Sequence, residues 1–244
     1  MDTRIISVGG SIIAPDQVDT GFLVEFTRIA VAWLNVSENR RLVLVAGGGA
    51  PARVYQSAFR EVTSRRGIFV DTLANVSKEV QDASADWIGV MATRLNAELL
   101  RACFGTIAAD PVVTNPMEAP EVWKGDVLVA AGWKPGFSSD NDAVLLAEKY
   151  GAKEVINLSN IDYVYDKDPK KNPDAKPLDR ISWADFCAMV GDKWVPGMNA
   201  PFDPIASKRA AKLGLTVICA SGHDIDNLRL ILDNGDYRGT TITA

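Results

Sequence analysis

Five aspartates lie close together in the chain: Asp140 and Asp142 at the start of one helix pattern, and Asp162, Asp166 and Asp168 in the polar cluster after the next strand. Carboxylates so placed can hold Mg²⁺ or orient cations around a transferring phosphoryl group. Taken singly, each is equally an N-cap or a turn former. Lys134, Lys167 and Lys170 are the nearby cations. Two glycine turns, Gly9-Gly10-Ser11 and Gly47-Gly48-Gly49, follow two apolar strand patterns. Glycine lets backbone N–H groups approach an anion, and a following helix N-terminus adds a favourable dipole. Neither turn matches the Walker A or the dinucleotide fingerprint, and glycine serves tight strand-to-helix turns for geometry alone. With Arg53 one helical turn beyond the second, the pair points to phosphate binding.

Composition narrows the chemistry. His223 is the sole histidine, which excludes a Ser-His-Asp triad through any other residue and argues against zinc. Phosphoryl transfer relies on positioned charge, so a site without histidine is chemically acceptable. Cys103, Cys187 and Cys219 are odd in number and far apart, as expected of reduced thiols in a cytoplasmic protein. A net charge of −5 gives no basic field for nucleic acid, and no apolar run approaches the ~18 residues of a membrane helix. The N-terminus runs at once into a strand, which leaves no room for a signal peptide.

The elements that must position these residues alternate. Strands are expected at Arg4–Val8, 42–45, 126–130, 155–158, 216–220 and 240–242. Helices are expected at Phe22–Leu34 with Asp19 or Thr20 as cap, after Pro51, and from Lys78 to about Arg101. Others follow at Asp140–Lys149 with Ser139 or Asp140 as cap, at 183–190 after Ser182, after Asp203-Pro204, and at 227–232. Asn115-Pro116 opens a short helix, and the turn-rich stretch 170–182 reads as a hairpin or loop. In the long helix Trp87, Met91, Leu95 and Leu99 form the expected core stripe. Asp86, Gly89, Thr93 and Asn96 share another face, equally well explained by solvent exposure. Residues 64–77 read as a surface excursion. Strands alternating with helices throughout mean an α/β fold, a three-layer α/β/α sandwich around a mostly parallel sheet. The loops following its strands would share the ligand-binding edge.

The order of motifs adds a resemblance. Val8-Gly9-Gly10-Ser11, GGGAPAR (47–53), DWIGVMATRLNA (86–97), GWKPGFSSD (132–140), NIDYVYDKDPKKNPDAK (160–176), DPIASKRAAKLGLTVI (203–218) and GTTI (239–242) together resemble the amino acid kinase superfamily. Within it they look most like the archaeal-type UMP kinases. The resemblance implies one domain over 1–244, with an acceptor lobe to about residue 150 and an ATP lobe beyond it. It implies transfer of the ATP γ-phosphoryl to UMP, with ATP and Mg²⁺ as cofactors, and a homo-oligomer, hexameric in the family. Gly9, Gly10 and Ser11 would surround the transferring phosphoryl group, and Gly47, Gly48 and Arg53 would hold the acceptor phosphate. Asp86 would bind the ribose hydroxyls and Thr93 would line the acceptor pocket. The loop from Gly132 to Ser139 would close over the acceptor, with Ser138 and Ser139 near base and phosphates. Asp140 would be the organising carboxylate. Asn160, Asp162, Tyr165, Asp168 and Lys170 would line the ATP pocket.

The chain departs from the superfamily pattern in three respects. Ser7 stands where a lysine is usual, Tyr163 where the donor motif has glycine, and Asn141 and Asp142 where small apolar residues follow the organising aspartate. With Ser7 in place of lysine, Lys134 is the candidate to supply the missing cation. Two other readings remain open: a kinase of the same fold acting on another small phosphate or carboxylate, and a non-catalytic nucleotide or oxyanion binder. The superfamily includes a molybdenum storage protein, but storage of that kind would favour histidine-rich loops, which this chain lacks.

Overall fold

The computed structural model describes residues 1–64, 77–191 and 200–244. The surface excursion expected around 64–77 falls almost entirely outside them. Near-continuous apolar runs make the parallel central strands: β1 (Asp2–Val8), β2 (Arg40–Ala46), β3 (Val127–Ala130), β4 (Glu154–Ser159) and, later in the chain, β8 (Thr216–Ser221). A short antiparallel hairpin of β5 (Val164–Tyr165) and β6 (Pro177–Leu178) stands apart from the sheet. With β7 (Arg180–Ser182) and β9 (Thr240–Thr243), the main sheet has seven strands in the order β3-β2-β1-β4-β8-β9-β7. Within this sheet, among the described residues, only the β8–β9 pairing is antiparallel.

Helices cover both faces. Because successive strand residues point to opposite sides, Ile6, Leu42 and Leu44 meet one layer, while Ile5, Val43 and Val45 meet the other. On the first face lie α2 (Thr20–Leu34), α4 (Lys78–Phe104) and α8 (Ile225–Leu232), contributing Phe26, Trp33, Leu100 and Leu228. On the second lie α5 (Ser139–Tyr150), α6 (Trp183–Val190) and α7 (Pro204–Leu213), contributing Val144, Leu146, Phe186 and Ala206. The three-layer sandwich is therefore as the alternation of elements implied. Two further helices complete it: α1 (Gly10–Ile13), a single turn not foreseen after the first glycines, and α3 (Gly49–Ser64), which packs along α4. Among the described residues no helix is long and apolar enough to cross a membrane.

Two expectations need correction. Helix α5 is capped by Ser138, whose hydroxyl accepts from the Asn141 amide at 3.2 Å, rather than by Ser139 or Asp140. In α4, Trp87, Met91 and Leu95 are 45%, 56% and 67% exposed, and only Leu99 packs partly against the core. The inward face holds Val90, Asn96, Ala97, Leu100 and Phe104. The helix has two apolar stripes, and periodicity alone ranks them by size. Beside the glycine turns the inward face carries Asn96 and Ala97, because α4 lies close against them there, and Leu100 and Phe104 join the core further along.

Candidate active site

The sheet order puts β1 between β2 and β4, so the chain winds outward from β1 in both directions. Such a switch point leaves a crevice at the carboxyl ends of the strands. The loops following β1, β2, β3 and β4 all open there, and these four loops carry most of the residues singled out above.

The two glycine turns are interlocked. A Cβ on Gly10 would lie 2.0 Å from the Gly49 nitrogen and 2.6 Å from the Gly47 carbonyl carbon. Gly49 has φ +64, and a Cβ there would also strike the Gly10 oxygen. Backbone geometry thus demands glycine at these two positions, and the result is a tight nest of main chain beside the switch point. Buried Asn96 holds the second turn, its amide donating to Gly47 O at 2.8 Å and Gly48 O at 3.1 Å. Its place on the α4 face with Asp86 and Thr93 was visible in the sequence, but nothing there separated an inward face from a solvated one. Ser11 lies in α1 directly after the nest, and Arg53 donates to Pro15 O, just past the end of α1, at 2.9 Å.

The Gly132–Ser139 loop is clamped through its main chain. Gly132 N–H donates to Thr93 Oγ1 at 2.7 Å, and Gly136 N–H donates to Asp86 Oδ2 at 2.7 Å. Arg94 donates to Gly132 O at 3.4 Å and Trp133 O at 3.0 Å, while Trp133 N–H donates to Asp142 Oδ2 at 3.0 Å. Asp86 and Thr93 therefore hold the loop, with Arg94 as a third clamp that sequence reading missed. Burial raises the Asp86 carboxyl above its usual range, and the Gly136 bond opposes that shift. Lys134 Nζ rests 3.9 Å from the Trp133 ring centroid and 5.1 Å from that of Phe137.

The cluster of five aspartates divides. Asp140 accepts from Ser7 Oγ at 3.1 Å and from the Asp203 amide at 3.1 Å. Burial, then the nearby Asp203 charge, push its pKa up to about 6. Asp142 is fully buried and raised to about 7, chiefly by desolvation, with the Trp133 bond opposing and the charges of Asp140 and Asp203 adding to the shift. Buried Asp203 caps α7, accepting from Ala206 N–H at 2.7 Å, and burial raises its pKa as well. Its approach to Asp140 follows from α7 packing on α5, a tertiary contact with no local signal.

Asp162, Asp166 and Asp168 do not join that group. Asp166 accepts from Lys176 N–H at 2.8 Å within the hairpin, and Asp168 from Lys170 N–H at 3.0 Å in a turn. These are the turn-forming roles that short acidic side chains fill readily. Among the described residues, no group of three or more His, Cys, Asp or Glu is arranged to hold a metal ion.

Beyond β4, a cavity of ≈ 510 Å³ is lined by Asn160, Tyr165, Asp168 and Lys170, together with Tyr163, Met189 and Pro201 among others. Four of the five residues expected to line an ATP pocket share it. Asp162 does not, because it sits exposed in the bend between β4 and β5. Tyr163, in place of the usual glycine, adds an aromatic wall.

An α/β sheet with a glycine nest, a clamped loop and a separate aromatic-walled cavity at one switch point has the form of a two-ligand site. The chain belongs to the amino acid kinase family, whose model matches residues 2–221. It is 34% identical to a uridylate kinase of Methanospirillum hungatei over 245 residues, covering 100% of this chain and 95% of that one. It is 36% identical to a uridylate kinase of Thermococcus sibiricus, covering 98% of each. The crystal structure of uridylate kinase from Archaeoglobus fulgidus matches over 100% of both chains, with a TM-score of 0.77 and 30% identity.

Proposed function

We propose that this protein is a UMP kinase, transferring the γ-phosphoryl of ATP directly to UMP to give UDP and ADP. The observation that carries the reading is similarity to uridylate kinases along the whole chain, on a fold that gathers the matching motifs at one edge. ATP enters as its Mg²⁺ complex, since Mg²⁺ is usually bound through one or two carboxylates together with substrate phosphates. The C-terminal lobe takes MgATP in the cavity of Asn160, Tyr165, Asp168 and Lys170. The N-terminal lobe takes UMP under the Gly132–Ser139 loop, with Ser138 and Ser139 toward it. Its phosphate faces Gly47, Gly48 and Arg53. Repulsion between the two nucleotides' phosphates is offset by Mg²⁺, Arg53 and the N–H groups of Gly9, Gly10 and Ser11.

An ADP-release assay across UMP, CMP, AMP and GMP tests this. Turnover should favour UMP by at least tenfold, a difference of ~1.4 kcal/mol. Equal rates with all four would exclude it. No ADP release with any of them, despite nucleotide binding, would instead support the non-catalytic binder that Ser7 makes chemically reasonable.

The same reading includes a cytoplasmic homo-oligomer, with the family's hexamer as the expected size. The exposed stripe Trp87, Met91 and Leu95 on α4, beside exposed Val54 and Tyr55 on α3, supports a second copy as its cover. Met91→Glu should then lower the mass measured by light scattering. An unchanged mass would move the interface elsewhere.

A further inference from the structure

Asp142 is a buried carboxyl that the reaction as described does not use. It is fully enclosed, Oδ2 accepts the Trp133 amide at 3.0 Å, and Oδ1 has no partner. A buried carboxyl is costly to keep unless it is hydrogen-bonded. The hydrogen bond its carboxylate accepts comes from the stretch of main chain that begins the acceptor loop. We propose that Asp142 is a positioning residue: through the Trp133 amide it fixes the start of the Gly132–Ser139 loop, and so sets the affinity for the acceptor nucleotide.

The surroundings show why one amide matters. Around the Gly132–Trp133 peptide every main-chain group is held by a side chain: Thr93 on Gly132 N–H, Arg94 on both carbonyls, and Asp142 on Trp133 N–H. Thr93 and Arg94 belong to α4, whereas Asp142 belongs to α5, which begins at Ser139, the last residue of the loop, after its cap Ser138. Asp142 therefore ties the loop's first residues to the helix into which its last residues lead. Without it the Trp133 N–H would be buried unpaired or would turn toward water, and either outcome shifts the loop. Lys134 and the Trp133–Phe137 ring pair, 4.7 Å apart, would move with it.

This rests on the loop covering the acceptor, so the test has one arm that needs no nucleotide. Hydrogen exchange of the peptide 132–137 should speed up in Asp142→Ala and stay near wild type in Asp142→Asn, whose amide oxygen can still accept the Trp133 N–H. In steady-state kinetics Asp142→Ala should raise the KM for UMP at least tenfold with the ATP KM within about twofold, and Asp142→Asn should restore the UMP KM to within about threefold. If Asp142→Ala does not yield folded protein, Asp142→Val replaces it with the same expected results. Unchanged exchange in the Ala or Val variant overturns the tether. Faster exchange with an unchanged UMP KM overturns the link to acceptor affinity. An Asn variant as impaired in KM as Ala would show that the carboxyl's charge, not its hold on Trp133, is what counts.

Discussion

Asp140→Asn should lower kcat by roughly 10²-fold or more, with both KM values within about threefold. The substitution suits the site. One carboxyl oxygen of Asp140 accepts the Asp203 amide, which an amide oxygen can still do, and the other faces the Ser7 hydroxyl, which can turn to accept from an NH₂ group. The fold is kept and the charge is lost. If that charge organises Mg²⁺ and the nucleotide phosphates as they rearrange, its removal is felt in the transition state more than in binding. Activity within threefold of wild type would reduce Asp140 to a structural link between β1 and α7, and Asp203 would be the next carboxylate to test.

Acidification should imitate the substitution without unfolding the protein. With its pKa raised to about 6, Asp140 loses its charge as the pH falls through that value, so kcat should fall on the acid side and the Asn variant should lack this limb. Stability should move the other way. Asp140 and Asp142 both bind protons more tightly folded than unfolded, so the native state holds the extra protons. Their stabilisation is complete below the unfolded carboxylate pKa and is lost as pH rises through about 6 to 7. Calorimetry from pH 8 to 5.5 should therefore show Tm rising while kcat falls, with a contribution on the order of a few kcal/mol at most. A Tm that fell in step with kcat would mean that acid inactivation is unfolding.

Much of this arrangement was legible in the chain because it is local. Apolar runs ending in glycine marked β1 and β2, Gly151 and Gly214 marked the ends of α5 and α7, and both adopt the left-handed conformation expected there. The donor-side motif likewise kept Asn160, Tyr165, Asp168 and Lys170 together, since they occupy one short connection. What was not legible depends on which surface meets which. The larger stripe on α4 faces outward, and Asn96 faces the glycine nest, because the approach of α4 to the sheet is decided by backbone proximity rather than by hydrophobic bulk. Asp203-Pro204 read as the start of a helix and is one, yet the Asp203 amide also meets Asp140 from 63 residues away. Counting aspartates along the chain overstated their convergence, because Asp166 and Asp168 are committed to their own turns.

Lys134→Ala should cost roughly 10²–10³ in kcat, about 2.7–4 kcal/mol, the size of losing one transition-state donor. The reasoning begins at Ser7, whose hydroxyl is hydrogen-bonded to Asp140 where a lysine would have placed a cation. Charge building on the γ-phosphoryl oxygens still needs an offset beyond Mg²⁺, and the glycine nest contains no cation. Lys134 lies in the clamped loop and pairs with no carboxylate among the described residues; its ammonium rests on the Trp133 and Phe137 rings. At an exposed site such a cation–π contact is worth only ~0.5–1 kcal/mol, so the ammonium is held in place yet easily drawn toward a phosphate. A packing role is separable from a charge role, since Lys134→Met keeps the stem against the rings and removes the charge. If the charge matters, Lys134→Met should be as slow as Lys134→Ala, and adding Ser7→Lys to either should restore part of the rate by placing an ammonium beside Asp140. Normal kcat in Lys134→Met would assign the offset to Mg²⁺ and the backbone N–H groups alone.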